Sequence, residues 1–180
     1  RLYASAENWS ALVEILERKI EVASSPDEIL EIQFKLGQLQ QHRLGNVERA
    51  VEHYREILAA APEHAASLNA LEELFAQGVL PVAIGEILEP LYRMQEQWDR
   101  LIGVHEVSLR AQTDTDERVQ MMHRIAEIAE ERAGDVATAF TWIQRALMED
   151  ATSDHSLSES ERLASITGGY AVLANTYAGI

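Results

Sequence analysis

The chain contains no cysteine, which removes disulfide frameworks, thiolate zinc sites and thiol catalysis together. Glycine and proline are scarce, at 9 and 4 of 180 residues, and no alternation of β-branched residues is sustained, so the composition favours helices over strands. No apolar run approaches the roughly 20 residues that a bilayer-spanning helix needs, and no charged-then-apolar leader opens the chain. A soluble protein without membrane insertion is expected. Basic side chains are also in deficit, 15 against 30 acidic ones, and the resulting net charge of -15 repels a phosphate backbone, so nucleic acid is not the expected partner. The same field favours a basic protein surface or simply maintains solubility. The chain opens at Arg1 rather than an initiator methionine, and it is expected to be part of a longer array. No compartment can be read from it, with the cytoplasm slightly favoured.

What the chain does have is an internal repeat. Hydrophobic residues make up 47% of it, enough for one well-buried domain or a short array. Sliding the sequence by 89 residues places Leu2-Tyr3 on Leu91-Tyr92, Trp9 on Trp98, Leu12 on Leu101 and Asp27-Glu28 on Asp116-Glu117. Farther along, Arg43, Gly45, Val47 and Ala50 fall on Arg132, Gly134, Val136 and Ala139, and Leu58, Leu68 and Leu74 on Leu147, Leu157 and Leu163. The matches concentrate at apolar, glycine and aromatic positions, as a shared packing scheme would leave them. A single domain over residues 1–180, duplicated as 1–89 and 90–178, is the expected organisation.

Each copy divides into helical hairpins, the clearest running from Ser25 to Pro62. Ser25 suits an N-cap, Pro26 the first helical position, and Asp27 and Glu28 the positive end of the helix dipole. Ile29, Ile32, Leu36 and Leu39 keep helical spacing to about Leu44, where Gly45 supplies a left-handed stop. A second helix is predicted from Val47 to Ala61, closed by Pro62. Weaker hairpins are predicted for His64 to Gln77 with Leu80 to Leu88, and for Pro90 to Gln95 with Trp98 to Ala111. Arg1 to Ala6 with Trp9 to Ala23 repeats the Pro90 hairpin. Asp116 to Ala133 pairs with Val136 to Met148, and Ser156 to Ala178 is broken at Gly168-Gly169. No hairpin of this kind buries its apolar face alone, so each is expected to stack on its neighbours.

The pair Leu36-Gly37, the turn at Gly45-Asn46, then Ala50, Tyr54, Leu58 and Pro62 resemble the tetratricopeptide repeat signature. The second copy repeats it as Ile125-Ala126, Gly134-Asp135, Ala139, Ile143, Ala146, Leu147 and Ala151. Two departures stand out: Leu36 to Gly45 is one residue longer than the usual motif, and Ala151 replaces the closing proline. The resemblance implies an all-α fold, a right-handed α-solenoid of stacked antiparallel helix-turn-helix repeats, whose first helices line a concave binding face.

On those helices a polar stripe lies opposite the packing residues. It comprises Glu31, Lys35, Gln38 and His42 in one copy and Gln120, Arg124, Glu127 and Glu131 in the other, with Ala66, Ala70, Glu73 and Gln77 between them. Spacings of four, three and four keep each set on one face. Trp9 and Trp98, equivalent across the copies, are expected to be packing residues. The six histidines include no pair three or four apart on one helix, so no metal site is expected and surface or groove positions are. No nucleophile elbow or phosphate loop is present. Glu127, Glu130 and Glu131, or Glu72 and Glu73, would do acid/base work only in a desolvating cleft, and a solvated helix face is expected instead. No enzyme activity and no cofactor follow. Some tetratricopeptide domains clamp a partner's terminal carboxylate, but only Lys35, Arg124 and Asn69 are of suitable type here, and glutamates surround two of them. The expected function is a protein-interaction scaffold holding a basic or amphipathic segment. The alternative is a structural spacer or self-association module, with apolar faces at Tyr3 and around Tyr170 to Leu173.

Overall fold

The computed structural model describes residues 8–179, and among them every regular element is helical. The order is α1 (Trp9–Val22), α2 (Pro26–Leu39), α3 (Val47–Ala60), α4 (Ala65–Ala76), α5 (Pro81–Met94), α6 (Trp98–Ala111), α7 (Thr115–Glu127), α8 (Val136–Glu149), α9 (Asp154–Thr167) and α10 (Tyr170–Gly179). The predicted helix over Arg1 to Ala6, with Leu2 and Tyr3, lies outside the described residues. The helices of the second half begin 89 residues after those of the first: 9 and 98, 26 and 115, 47 and 136, 65 and 154, 81 and 170. The chain forms two compact units, residues 1–87 and 88–180.

The additional residue between Leu36 and Gly45 has a definite structural outcome. After α2 the chain widens into one π turn, Gln40–Leu44, in which the N–H of Gly45 donates to the Gln40 carbonyl. The N–H of Asn46 donates to the same carbonyl at 2.8 Å, and Gly45 closes the turn with φ 66°. A π bulge is how a helix absorbs one inserted residue without losing its direction. The second copy also widens into a π turn, Ile128–Arg132, but one residue earlier in register: the N–H of Ala133 donates to the Ile128 carbonyl and that of Asp135 to the Ala129 carbonyl at 2.7 Å, with Gly134 at φ 70°. Ser25 stands at the N-cap of α2 as expected, yet its hydroxyl makes no capping bond, whereas Asn46 and Asp135 cap α3 and α8 through the N–H groups of Arg49 and Thr138.

In the first unit α1 and α2 bury Val13, Ile32 and Leu36, with Leu16, Ile20 and Leu39 packed around them. Helix α3 then packs on α2 and buries Ala50, Val51, Tyr54, Ile57 and Leu58. In the second unit α8 is the most enclosed helix, burying Ala139, Phe140, Trp142, Ile143, Ala146 and Leu147 between α7 and α9. Each such large side chain contributes about 1.5–3 kcal/mol of transfer free energy.

The break expected between Leu88 and Pro90 is absent. Helix α5 runs through Pro90 without interruption. Ile84, Leu88, Leu91 and Tyr92 are buried at helical spacing, while Pro90 is exposed, so the carbonyl deprived of its partner by the proline ring sits on the solvent side. The break at Gly168-Gly169 is present: Gly168 has φ 71°, and a Cβ on Gly169 would stand 2.4 Å from Cε1 of Phe140.

Candidate functional site

Helix α7 presents Gln120, Arg124 and Glu127 to solvent on one face, and Glu131 continues that face through the π turn. All four line one open cavity of about 700 Å³. His123 and Ala126 of α7 and Glu130 of the π turn line it too, and the facing wall comes from α8 and α9, including Ile143, His155, Glu159 and Arg162. Arg162 donates from Nη1 to Glu130 at 2.8 Å and from Nη2 to Glu159 at 2.7 Å. The Arg162 hydrogen bonds hold the Glu130 carboxyl below the usual carboxylate range. Arg162 is thus neutralised by two carboxylates, whereas Glu127 and Glu131 have no ion-pair partner among the described residues.

In the first unit the equivalent face is exposed as well, and Lys35, Gln38 and His42 line a separate open cavity of about 730 Å³. Glu31 stands outside it, 3.7 Å from Lys35 one turn along the helix. On α4, Ala66, Glu73 and Gln77 are exposed and Ala70 is half-buried. Gln77 donates to Glu73 at 3.3 Å, and none of these four joins the other predicted residues in a described cavity.

Trp9 and Trp98 depart from expectation. Both are half-buried rather than core residues, and each forms a cavity wall beneath an arginine that stacks on its ring. The guanidinium carbon of Arg43 lies 5.0 Å from the Trp9 ring centroid, and that of Arg132 lies 5.9 Å from Trp98. The two cavities are built from equivalent positions: Trp9, Leu12, Lys35, Gln38, Leu39, His42 and Arg43 in the first, and Trp98, Leu101, Arg124, Glu127, Ile128, Glu131 and Arg132 in the second. Both Trp9 and Arg43 match across the 89-residue slide, but neither match announces that the two side chains touch.

The histidines also differ from a simple surface set. His105 is buried, its Nε2 has no hydrogen-bond partner, and burial pushes its pKa below the ordinary imidazole value. Burial does the same to His53. His123 and His155, from α7 and α9, meet edge to face with ring centroids 4.6 Å apart, and His123 Nε2 lies 2.7 Å from the Ser156 hydroxyl. Burial, then the His155 charge, lowers the His123 pKa. Spacing along one helix offers no sign of this pair, because its members are 32 residues apart and meet only when α9 packs near α7.

Among the described residues no three His, Asp or Glu side chains converge as a metal site, and no helix is long and apolar enough to cross a membrane. No known protein family matches the chain, and neither does any curated protein.

Proposed function

We propose that this chain is a tetratricopeptide-like stretch of right-handed α-solenoid, derived from an 89-residue duplication, that acts as a non-catalytic scaffold for a partner protein. The convergence of Gln120, Arg124, Glu127 and Glu131 on one open cavity carries this reading, since a repeated polar face would otherwise have no reason to frame a concavity. With Arg162 committed to Glu130 and Glu159, the two unpaired carboxylates favour a cationic or amphipathic segment laid along α7. The test is titration of a labelled basic amphipathic peptide into the purified chain by fluorescence anisotropy. Replacing Glu127 and Glu131 by lysine is expected to weaken binding about tenfold or more, with the effect shrinking at high salt. Unchanged affinity would remove the cavity from the reading.

A second reading, self-association, has its own support. Ile166, Tyr170, Val172 and Tyr177 are exposed within a short stretch of α9 and α10, although Leu173, expected to share that face, is buried. Sedimentation at increasing concentration decides it: a constant monomer mass rules against this reading.

A further inference from the structure

A second cavity lies on the other side of α7. Arg118 and Met122 stand about half a turn around the helix from Gln120, Arg124 and Glu127, at about 100° per residue. With Arg110 of α6 and Trp142, Arg145 and Glu149 of α8 they line an open cavity of about 550 Å³. Arg118 is neutralised there, since it donates to Glu149 at 3.0 Å and to the Leu109 carbonyl at 2.9 Å. Arg110 and Arg145 are exposed and have no carboxylate partner among the described residues. The Arg145 guanidinium carbon lies 4.4 Å from the Trp142 ring centroid, a stack that holds the charge in place without offsetting it. Of the two carboxylates in the lining, Glu149 pairs with Arg118, and Glu106 is left against two unpaired guanidiniums. Cations therefore exceed anions at this spot of a chain whose net charge is -15.

The duplication puts the opposite charges at the same positions of the first unit. Glu21 stands where Arg110 does and Glu56 where Arg145 does, while Ile29 replaces Arg118. None of the first-unit positions equivalent to the cavity lining holds lysine or arginine. Glu17, Glu21 and Glu56 are exposed and have no ion-pair partner among the described residues. They share one face of α1, α2 and α3: Gln33 of α2 donates to Glu56 at 3.0 Å, and the burial that lowers the His53 pKa is opposed by Glu56 and by Glu17. The same three-helix arrangement is thus cationic in the second unit and anionic in the first.

We propose that these two patches bind each other between copies of this chain, Arg110 and Arg145 of one copy lying against Glu21 and Glu56 of another. Pairing like patches would set guanidiniums on guanidiniums or carboxylates on carboxylates, so charge selects the second-unit patch of one copy for the first-unit patch of the next. Either alignment of the equivalent patches, Arg110 on Glu21 or Arg110 on Glu56, places a cation on an anion at both positions. Met148, exposed beside Arg145, adds apolar area to the contact, and its first-unit counterpart is the small Ala59. Repulsion between the remaining carboxylates of two copies is screened beyond about 8 Å at physiological salt, which leaves the local pairs to decide. The contact goes beyond the self-association reading above, because it leaves the α9 and α10 surface unused. It also leaves the opposite face of α7 open to a partner protein.

The experiment is sedimentation velocity of the full chain over a rising concentration series at physiological salt. A sedimentation coefficient that grows with concentration is expected. Arg110→Glu with Arg145→Glu in one variant, and Glu21→Arg with Glu56→Arg in another, are each expected to weaken association about tenfold or more. All four side chains are exposed, and circular dichroism confirms that both variants are folded. The second variant makes the chain less acidic, so its loss of association cannot come from net repulsion. Mixing the two variants is expected to restore association, since acidic patches then meet basic ones. A monomer at every concentration overturns the proposal, as does association that neither variant weakens or a mixture that stays monomeric. Tyr170→Glu separates it from the α9 and α10 reading. Association lost with Tyr170→Glu and kept in both charge variants supports that reading and overturns this one, whereas the reverse pattern supports this one alone.

Discussion

The two copies share their helix starts but solve the helix crossing with different side chains. In the first unit Gly37 lies against Tyr54, whose ring is fully buried and whose hydroxyl donates to Gln41 Oε1 at 2.9 Å in the π turn. Burial pushes the phenol pKa up to about 12. A Cβ on Gly37 would stand 2.6 Å from Tyr54 Cε1, so only glycine leaves room. In the second unit the same two positions hold Ala126 and Ile143, both buried: one residue has grown by a methyl group and its neighbour has lost a ring. Close packing, rather than any particular residue, is what both copies preserve. Leu16 against His105 shows the opposite case, because the second copy buries a polar ring with an unpartnered nitrogen where the first has an apolar side chain.

These differences can be tested by exchange. The largest effects are expected at the identical pair Leu58 and Leu147, buried to 2% and 0% exposure. Truncation of either to alanine should cost about 3 kcal/mol in urea denaturation, and strongly unequal losses would break the equivalence of the two cores. Gly37→Ala is expected to cost about 2 kcal/mol by overpacking, with much of the loss recovered when Tyr54→Ile is added. A double-mutant cycle showing additivity would mean that the crossing is not coupled.

His105→Leu, which imports the residue of the first copy, should stabilise by about 1 kcal/mol because it removes an unsatisfied buried nitrogen. It should also flatten the acid limb of stability. His53, His105 and His123 all have folded pKa values lowered by burial, so the unfolded chain takes up protons first. Stability is then full above the unfolded value near 6.5 and falls as pH drops from about 6.5 through the lowered folded values. Thermal melts between pH 8 and pH 5 check the sign, and a rising Tm toward acid would contradict it. The smallest effect is expected for Arg162→Ala, at most about 1 kcal/mol, since the side chain is 41% exposed and solvent screens its two carboxylates.

Helix identity was legible along the chain because apolar period, capping residues and glycine stops all agree locally, as around Ile32, Leu36, Gly45 and Asn46. The one-residue excess before Gly45 was visible too, but its form was not: a π turn depends on which carbonyl accepts once neighbouring helices hold both ends. Pro90 misled because a local rule for ending helices lost to a buried stripe on both sides of the proline. The face of α7 was readable from its spacing, whereas Glu159 and Arg162, which complete the cavity, belong to another helix.

By itself the sequence determined the helices and their repeated order, since period, caps and stops act over a few residues and need no distant partner. The tertiary structure alone decided which charges are spent on each other, which tryptophans form walls instead of core, and that His123 meets His155. Those outcomes depend on side chains about 30 residues apart being brought within a few ångströms, and hydrophobic patterning specifies which face is buried without specifying what stands opposite it.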